Sequence, residues 1–149
     1  MALQNQVMDA LKAAMKAKDA VALESLRAIK SAILLQQSEA GAKELSPADE
    51  IKLLQKLVKQ RKDSAALYNE QGRTDLAEPE LAQAKVIEQF LPEPLSEVEL
   101  DQLIQNVINE LAAEGMKDMG RVVGEVNSRA AGKAEGKVIA QKVKHHLSN

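Results

Sequence analysis

The chain has no cysteine and no tryptophan, and only two histidines, one tyrosine and one phenylalanine in 149 residues. The missing cysteines remove disulfides, thiolate metal sites and thiol nucleophiles together. With aromatics at 1%, a sheet has little of the bulk that strands usually carry. Base stacking on a side-chain platform is equally short of material. No apolar run approaches the roughly 20 residues a membrane span needs, and the N-terminal MALQNQVMDALKAAMKAK has no long apolar core of a secretory signal. A cytosolic protein with no membrane association is the expectation. Phosphate loops are absent as well: neither G-x-x-x-x-G-K-[ST] nor G-x-G-x-x-G occurs, which argues against a nucleotide-dependent ligase acting alone.

What is abundant is Ala, Leu, Lys, Glu and Gln, the strong helix formers, within a 45% apolar composition. An all-α fold follows. Helix 1 is expected over about 2–18, with Leu3, Val7, Leu11 and Met15 on one face. Helix 2 is expected from about Ala20 to Ala40, with Leu23, Leu26, Ile29, Ile33 and Leu34 as its stripe and Gly41 as its stop. Ser46-Pro47 supplies an N-cap with proline at the first helical position. Helix 3 then runs to about Gln71, ended by Gly72, with Ile51, Leu54, Leu57, Val58, Ala65 and Tyr68 in its stripe. Thr74 is the expected cap of helix 4, which carries Leu76, Leu81, Ile87 and Phe90.

Pro92 and Pro94 interrupt the pattern, since proline has no amide donor and disfavours helix in the residue before it. The boundary is placed here, with a four-helix domain over 1–92 and a small three-helix domain over 93–149. Ser96 and Glu99 have capping-box spacing. They open a helix striped by Leu100, Leu103, Ile104, Val107, Ile108 and Leu111 and stopped by Gly115. Two further helices are expected over about 118–131 and 135–147. Charge follows the same division. Residues 1–90 are neutral, 91–114 carry −6 and 115–149 carry +4, so an acidic helix precedes a basic tail.

Few residues fit catalysis. His145 and His146 stand near the C-terminus, where a solvated helix end is the plain reading. Adjacent histidines project about 100° apart on a helix and make no i, i+4 metal pair. No catalytic residue, metal or cofactor is assigned. Arg61 falls inside the apolar stripe of helix 3. It is expected either to pair with Glu80 or Glu88 on helix 4 or to face a ligand, and Arg27 on helix 2 is read the same way. Lys52, Lys56, Lys59 and Lys62 form a stripe that is either a solvated face or a set of phosphate contacts. Gly120 and Gly124 are spaced to let another helix approach. In Gly132-Lys133-Ala134-Glu135-Gly136-Lys137, turn glycines and lysines surround a helix start, which is either a solvated turn or an anion site.

Several segments carry a resemblance that covers nearly the whole chain. They are Leu26-Arg27 with Ser31-Ala32-Ile33, then Gln60-Arg61-Lys62-Asp63-Ser64-Ala65, Arg73-Thr74-Asp75-Leu76-Ala77, Leu91-Pro92 with Leu95-Ser96-Glu97, and KDMGRVVGEV followed by GKAEGKV. In this order and spacing the chain resembles the YqeY-like proteins of the GatB/YqeY family. It departs by Glu135 where the family pattern has Asp, and by Val123 where Met is common. The resemblance implies a helical N-terminal domain and a C-terminal domain similar to the tail of the B subunit of tRNA-dependent amidotransferase. That tail helps hold misacylated tRNA while chemistry occurs elsewhere. The function so implied is a tRNA-binding or tRNA-associated accessory module of translation, non-catalytic by itself. Lys117, Arg121, Arg129, Lys133, Lys137 and Lys144 are its candidate phosphate contacts, by shape and backbone rather than by bases. Two alternatives stand beside it. One is a part in carbon–nitrogen ligation with glutamine as amide donor, in company with amidotransferase subunits. The other is a protein-interaction module.

Overall fold

The computed structural model describes residues 2–39, 41 and 44–148. Among them it contains seven α-helices, one 3-10 turn and no strand. The chain divides into two compact units, Met1–Leu91 and Pro92–Asn149.

The first unit holds α1 (Ala2–Ala17), α2 (Ala20–Glu39), α3 (Pro47–Glu70) and α4 (Thr74–Glu88). On α1 the buried stripe is Leu3, Val7, Leu11 and Ala14, while Met15 is 56% exposed. A four-residue step advances about 40° beyond a full turn. Three such steps carry Met15 off the face, and Ala14 falls back onto it. Asp19 caps α2 by accepting the Ala22 N–H at 3.1 Å. Leu26, Ile29 and Ile33 are buried, Leu34 is exposed, and Ser25 is fully buried with its hydroxyl donated to Val21 O. The expected end of this helix at Ala40 lies outside the described residues.

Ser46 caps α3 as its sequence context predicts, accepting the Asp49 N–H at 3.1 Å with Pro47 at the first position. Gly72, at φ +73°, turns the chain after α3, and Arg73 N–H closes back on Tyr68 O at 2.8 Å. A left-handed residue of this kind suits glycine because no Cβ opposes it. The cap of α4 is Arg73 rather than Thr74, with no side-chain cap hydrogen bond. Leu53, absent from the expected stripe, is buried beside Leu54 and Val58. They join Ile87 and Ala84 of α4 and the faces of α1 and α2 in one core. Leu76 and Leu81 stay exposed, Ile87 is buried as expected, and Ala77 and Ala84 fill the rest of the α4 face. Small residues there let α4 lie close to its neighbour.

The second unit holds α5 (Glu97–Leu111), a 3-10 turn at Met116–Asp118, α6 (Met119–Ala130) and α7 (Gly136–Ser148). The capping box is complete: Glu99 N–H donates to Ser96 Oγ at 3.1 Å, and Ser96 N–H donates to Glu99 Oε1 at 3.0 Å. The stop of α5 is not Gly115 but Ala112, which turns left-handed at φ +51°. Ala113 N–H then satisfies Ile108 O at 3.0 Å, and Glu114 N–H donates to Asp118 Oδ2 at 3.0 Å. Leu100, Ile104 and Val107 of α5 bury against Val122, Val126 and Ala130 of α6 and Ile139 and Val143 of α7.

With so few buried side chains in about 58 residues, each matters to stability. Ile104 is fully buried, and Ile104→Ala should cost about 2–5 kcal/mol in urea unfolding. Ala112→Gly should act in the opposite direction. Relieving the left-handed alanine outweighs the added chain entropy, for a gain of up to about 1 kcal/mol.

Candidate nucleic-acid interface

The six basic residues singled out from the sequence all lie in the second unit, and the structure divides them. Arg121 donates from Nη2 to Asp118 Oδ1 at 3.2 Å and to Leu111 O at 3.1 Å. Arg129 donates from Nε to Glu125 Oε1 at 2.9 Å and from Nη2 to Glu110. Lys117 reaches Glu114 at 3.4 Å. These three are held by carboxylates of their own unit. Lys133, Lys137 and Lys144 make no ion pair among the described residues.

Local structure explains their display. Ala131 and Gly132 take left-handed conformations in succession, at φ +48° and +85°, and so end α6 sharply. Lys133 follows, its N–H donated to Ala130 O at 2.9 Å and its carbonyl accepting the Leu95 N–H at 2.8 Å. Its backbone is therefore pinned while its side chain is exposed. α7 begins at Gly136, and Ile139 N–H donates to Glu135 O at 3.0 Å. Lys137 and Lys144 are seven residues apart, so they project within about 20° of each other and about 10 Å apart along the axis. That face is roughly opposite Ile139 and Val143, which are buried. Lys133 adds a third cation before the helix; hydrogen bonds with Ser96 hold the Glu99 carboxyl below its usual range, and the Lys133 charge adds to them.

A second polar cluster joins α5 to α7. Lys142 Nζ donates to Asp101 Oδ1 at 3.0 Å and to Glu97 at 3.4 Å, and His146 Nε2 lies 3.1 Å from the same Asp101 oxygen. Hydrogen bonds from His146 and Lys142 hold the Asp101 carboxyl below the usual range, and Asp101 raises Lys142. This corrects the sequence reading of His146 as a solvated helix end: its side chain is only 20% exposed. The partner is 45 residues away, beyond the reach of any local pattern. His146 also lines an open cleft with Gln105, Ile108, Ala113, Glu114 and Leu147. Among the described residues no group of three or more His, Cys, Asp or Glu is placed to hold a metal ion.

Other candidates fare differently. Gly120 and Gly124 have nothing within 4 Å of where a Cβ would stand, so their spacing admits no close helix among the described residues. In the first unit, Arg61 sits between α3 and α4 but does not pair with Glu80 or Glu88. It donates from Nε to Gln83 Oε1 at 3.0 Å and from Nη1 to Leu57 O at 3.0 Å, whereas Glu88 takes Lys62 at 3.0 Å. An amide and a carbonyl thus satisfy a half-buried guanidinium without a second buried charge. Arg27 is exposed on α2. In the α3 lysine stripe, Lys59 pairs with Asp63 at 2.6 Å.

Asp101 offers a test of the α5–α7 link. Its lowered carboxyl stabilises the unit above its ordinary value of 3.8, and that contribution is lost as pH falls through the depressed folded value. The raised Lys142 ammonium acts in the mirror sense. Its contribution is present below 10.5 and disappears as pH rises beyond its folded value. Asp101→Asn should flatten both flanks of a stability–pH curve followed by circular dichroism, with little change near neutrality in the shape of the curve.

A sequence profile of the family described as Yqey-like protein matches residues 4–147. The chain is 31% identical over 137 residues to the protein named altered inheritance of mitochondria protein 41, mitochondrial, of Pyrenophora tritici-repentis, covering 89% of this chain and 74% of that one. It is 35% identical over 103 residues to the protein of the same name in Lachancea thermotolerans, covering 68% and 55%. To that of Clavispora lusitaniae it is 33% identical over 127 residues, covering 81% and 72%. These names overturn the cytosolic expectation: all three relatives are named as mitochondrial. A lack of cysteine and of long apolar runs restricts redox chemistry and membrane spanning, and neither property separates cytosol from mitochondrion. Among the described residues no helix is long and apolar enough to cross a membrane.

Proposed function

Because the chain belongs to the family of YqeY-like proteins, we propose that it is a tRNA-binding or tRNA-associated accessory module, non-catalytic by itself. On this reading the second unit is the counterpart of the amidotransferase B-subunit tail that it resembles, and the first unit is a separate helical domain. The single observation supporting it is the exposed triad Lys133, Lys137 and Lys144, without ion-pair partners among the described residues, in a unit whose other tail cations are held by carboxylates. Exposed ammonium groups on one side of a helix and its preceding turn suit a phosphate backbone, which lysine contacts as a point charge without reading sequence. All of the Tyr and Phe of the chain lie at Tyr68 and Phe90, outside this unit, so no Tyr or Phe platform for base stacking is present here.

The sequence placed six residues at the interface, and this reading gives them unequal parts. Lys133, Lys137 and Lys144 are the primary contacts. Lys117, Arg121 and Arg129 reach an anion only by leaving an internal carboxylate. Binding is therefore weak and strongly dependent on salt.

Filter binding of bulk tRNA at graded salt tests this. Lys133→Glu with Lys137→Glu should weaken binding roughly tenfold or more and reduce the slope of log K against log salt by about two. Unchanged affinity would remove these lysines from the interface. Glutamine hydrolysis by the purified chain would overturn the non-catalytic reading.

A further inference from the structure

One arginine of the tail is already engaged by two carboxylates. Arg129 lies between Glu125 on its own helix and Glu110 of α5, one carboxylate on Nε and the other on Nη2. Both contacts raise its guanidinium further, Glu110 the more, and Arg129 holds the Glu110 carboxyl below its usual range. A carboxylate presents its oxygens to a guanidinium much as a phosphate does. The two acids therefore stand where phosphate oxygens would bind. The site is nevertheless open: side-chain exposure is 36% for Arg129, 55% for Glu110 and 41% for Glu125. Exposed pairs of this kind hold only weakly against solvent and salt. Arg129 also stands four residues before Lys133, whose ammonium makes no ion pair among the described residues.

We propose that Glu110 is a built-in competitor for Arg129, which keeps this arginine out of the anion-binding face until a polyanion displaces the carboxylate. The proposal rests on the reading of this unit as a nucleic-acid interface and adds how its strength is set. Three lysines form the standing part of the face and Arg129 the conditional part. Glu110 opposes a polyanion twice, by occupying Nη2 and by repelling the approaching phosphates. Glu125 alone cannot hold both sides of the fork. Loss of Glu110 leaves Nη2 for a phosphate oxygen and leaves Nε on its helical neighbour.

The test compares Glu110→Gln with Glu97→Gln in the full chain, with bulk tRNA as probe, by fluorescence anisotropy over a salt series. Both variants remove one negative charge from α5. Glu97 shares Lys142 with Asp101, so its loss frees no cation. Glu110→Gln should tighten binding about three- to tenfold and steepen the salt slope by about one, the signature of one more phosphate contact. Glu97→Gln should tighten it less than twofold with the slope unchanged. Adding Arg129→Gln to Glu110→Gln should return affinity to within about twofold of wild type.

Equal effects of the two glutamine variants would reduce the result to net charge and overturn the proposal. So would wild-type binding that Glu110→Gln leaves unaltered, with the interface reading then still standing. If wild type fails to bind tRNA at the lowest salt, the interface reading itself falls, and this proposal with it.

Discussion

The second unit depends on one constraint: three short helices must bury a single narrow apolar stripe each. Ile104 and Val107 on α5, Val122 and Val126 on α6, and Ile139 and Val143 on α7 are fully buried. Leu100 and Ala130 complete this core. Once those faces meet, the opposite faces are displayed without further choice. Lys137 and Lys144 are exposed because Ile139 and Val143 are not. Burying an aliphatic side chain is worth about 1.5–3 kcal/mol, whereas an exposed ion pair is worth about 0–1 kcal/mol. The apolar stripes therefore decide the arrangement, and the charges adapt to it.

How they adapt changes the meaning of the charge pattern. A run of −6 followed by one of +4 reads as an acidic helix beside a free basic tail. In the folded unit the two runs meet. Glu110 of α5 takes Arg129 of α6, while Glu97 and Asp101 of α5 take Lys142 of α7. Much of the tail's charge is thus balanced inside the unit that carries it. What remains outward is smaller than the sequence total and confined to the Gly132 turn and one side of α7.

Polar groups in the first unit follow a related economy of charge. Arg61 is satisfied by Gln83 and by Leu57 O, and the fully buried Ser25 by Val21 O. Each hydrogen bond removes the penalty of an unpaired polar group without burying a carboxylate beside it. Exposed acids are left for lysines at the rim, such as Glu88 for Lys62.

Local features were legible before folding was considered. Helix periodicity, the Ser46 cap, the Ser96–Glu99 capping box and the Gly72 turn depend on residues within a few positions of one another, so the chain states them directly. The sequence by itself determined an all-helical protein and its family. Tertiary structure decided the rest. Met15 and Leu34 lost their places because the true stripe follows 3.6 residues per turn and the shape of the neighbouring helix. Ala112, not Gly115, ends α5, because satisfied carbonyls and the Asp118 side chain outweighed a preference for glycine. Arg129, Lys142 and His146 found partners 19, 41 and 45 residues away. Such pairing depends on how helices cross, which composition and spacing do not encode. That is why, among the described residues, six candidate cations in the sequence become three held by carboxylates and three exposed lysines without ion pairs.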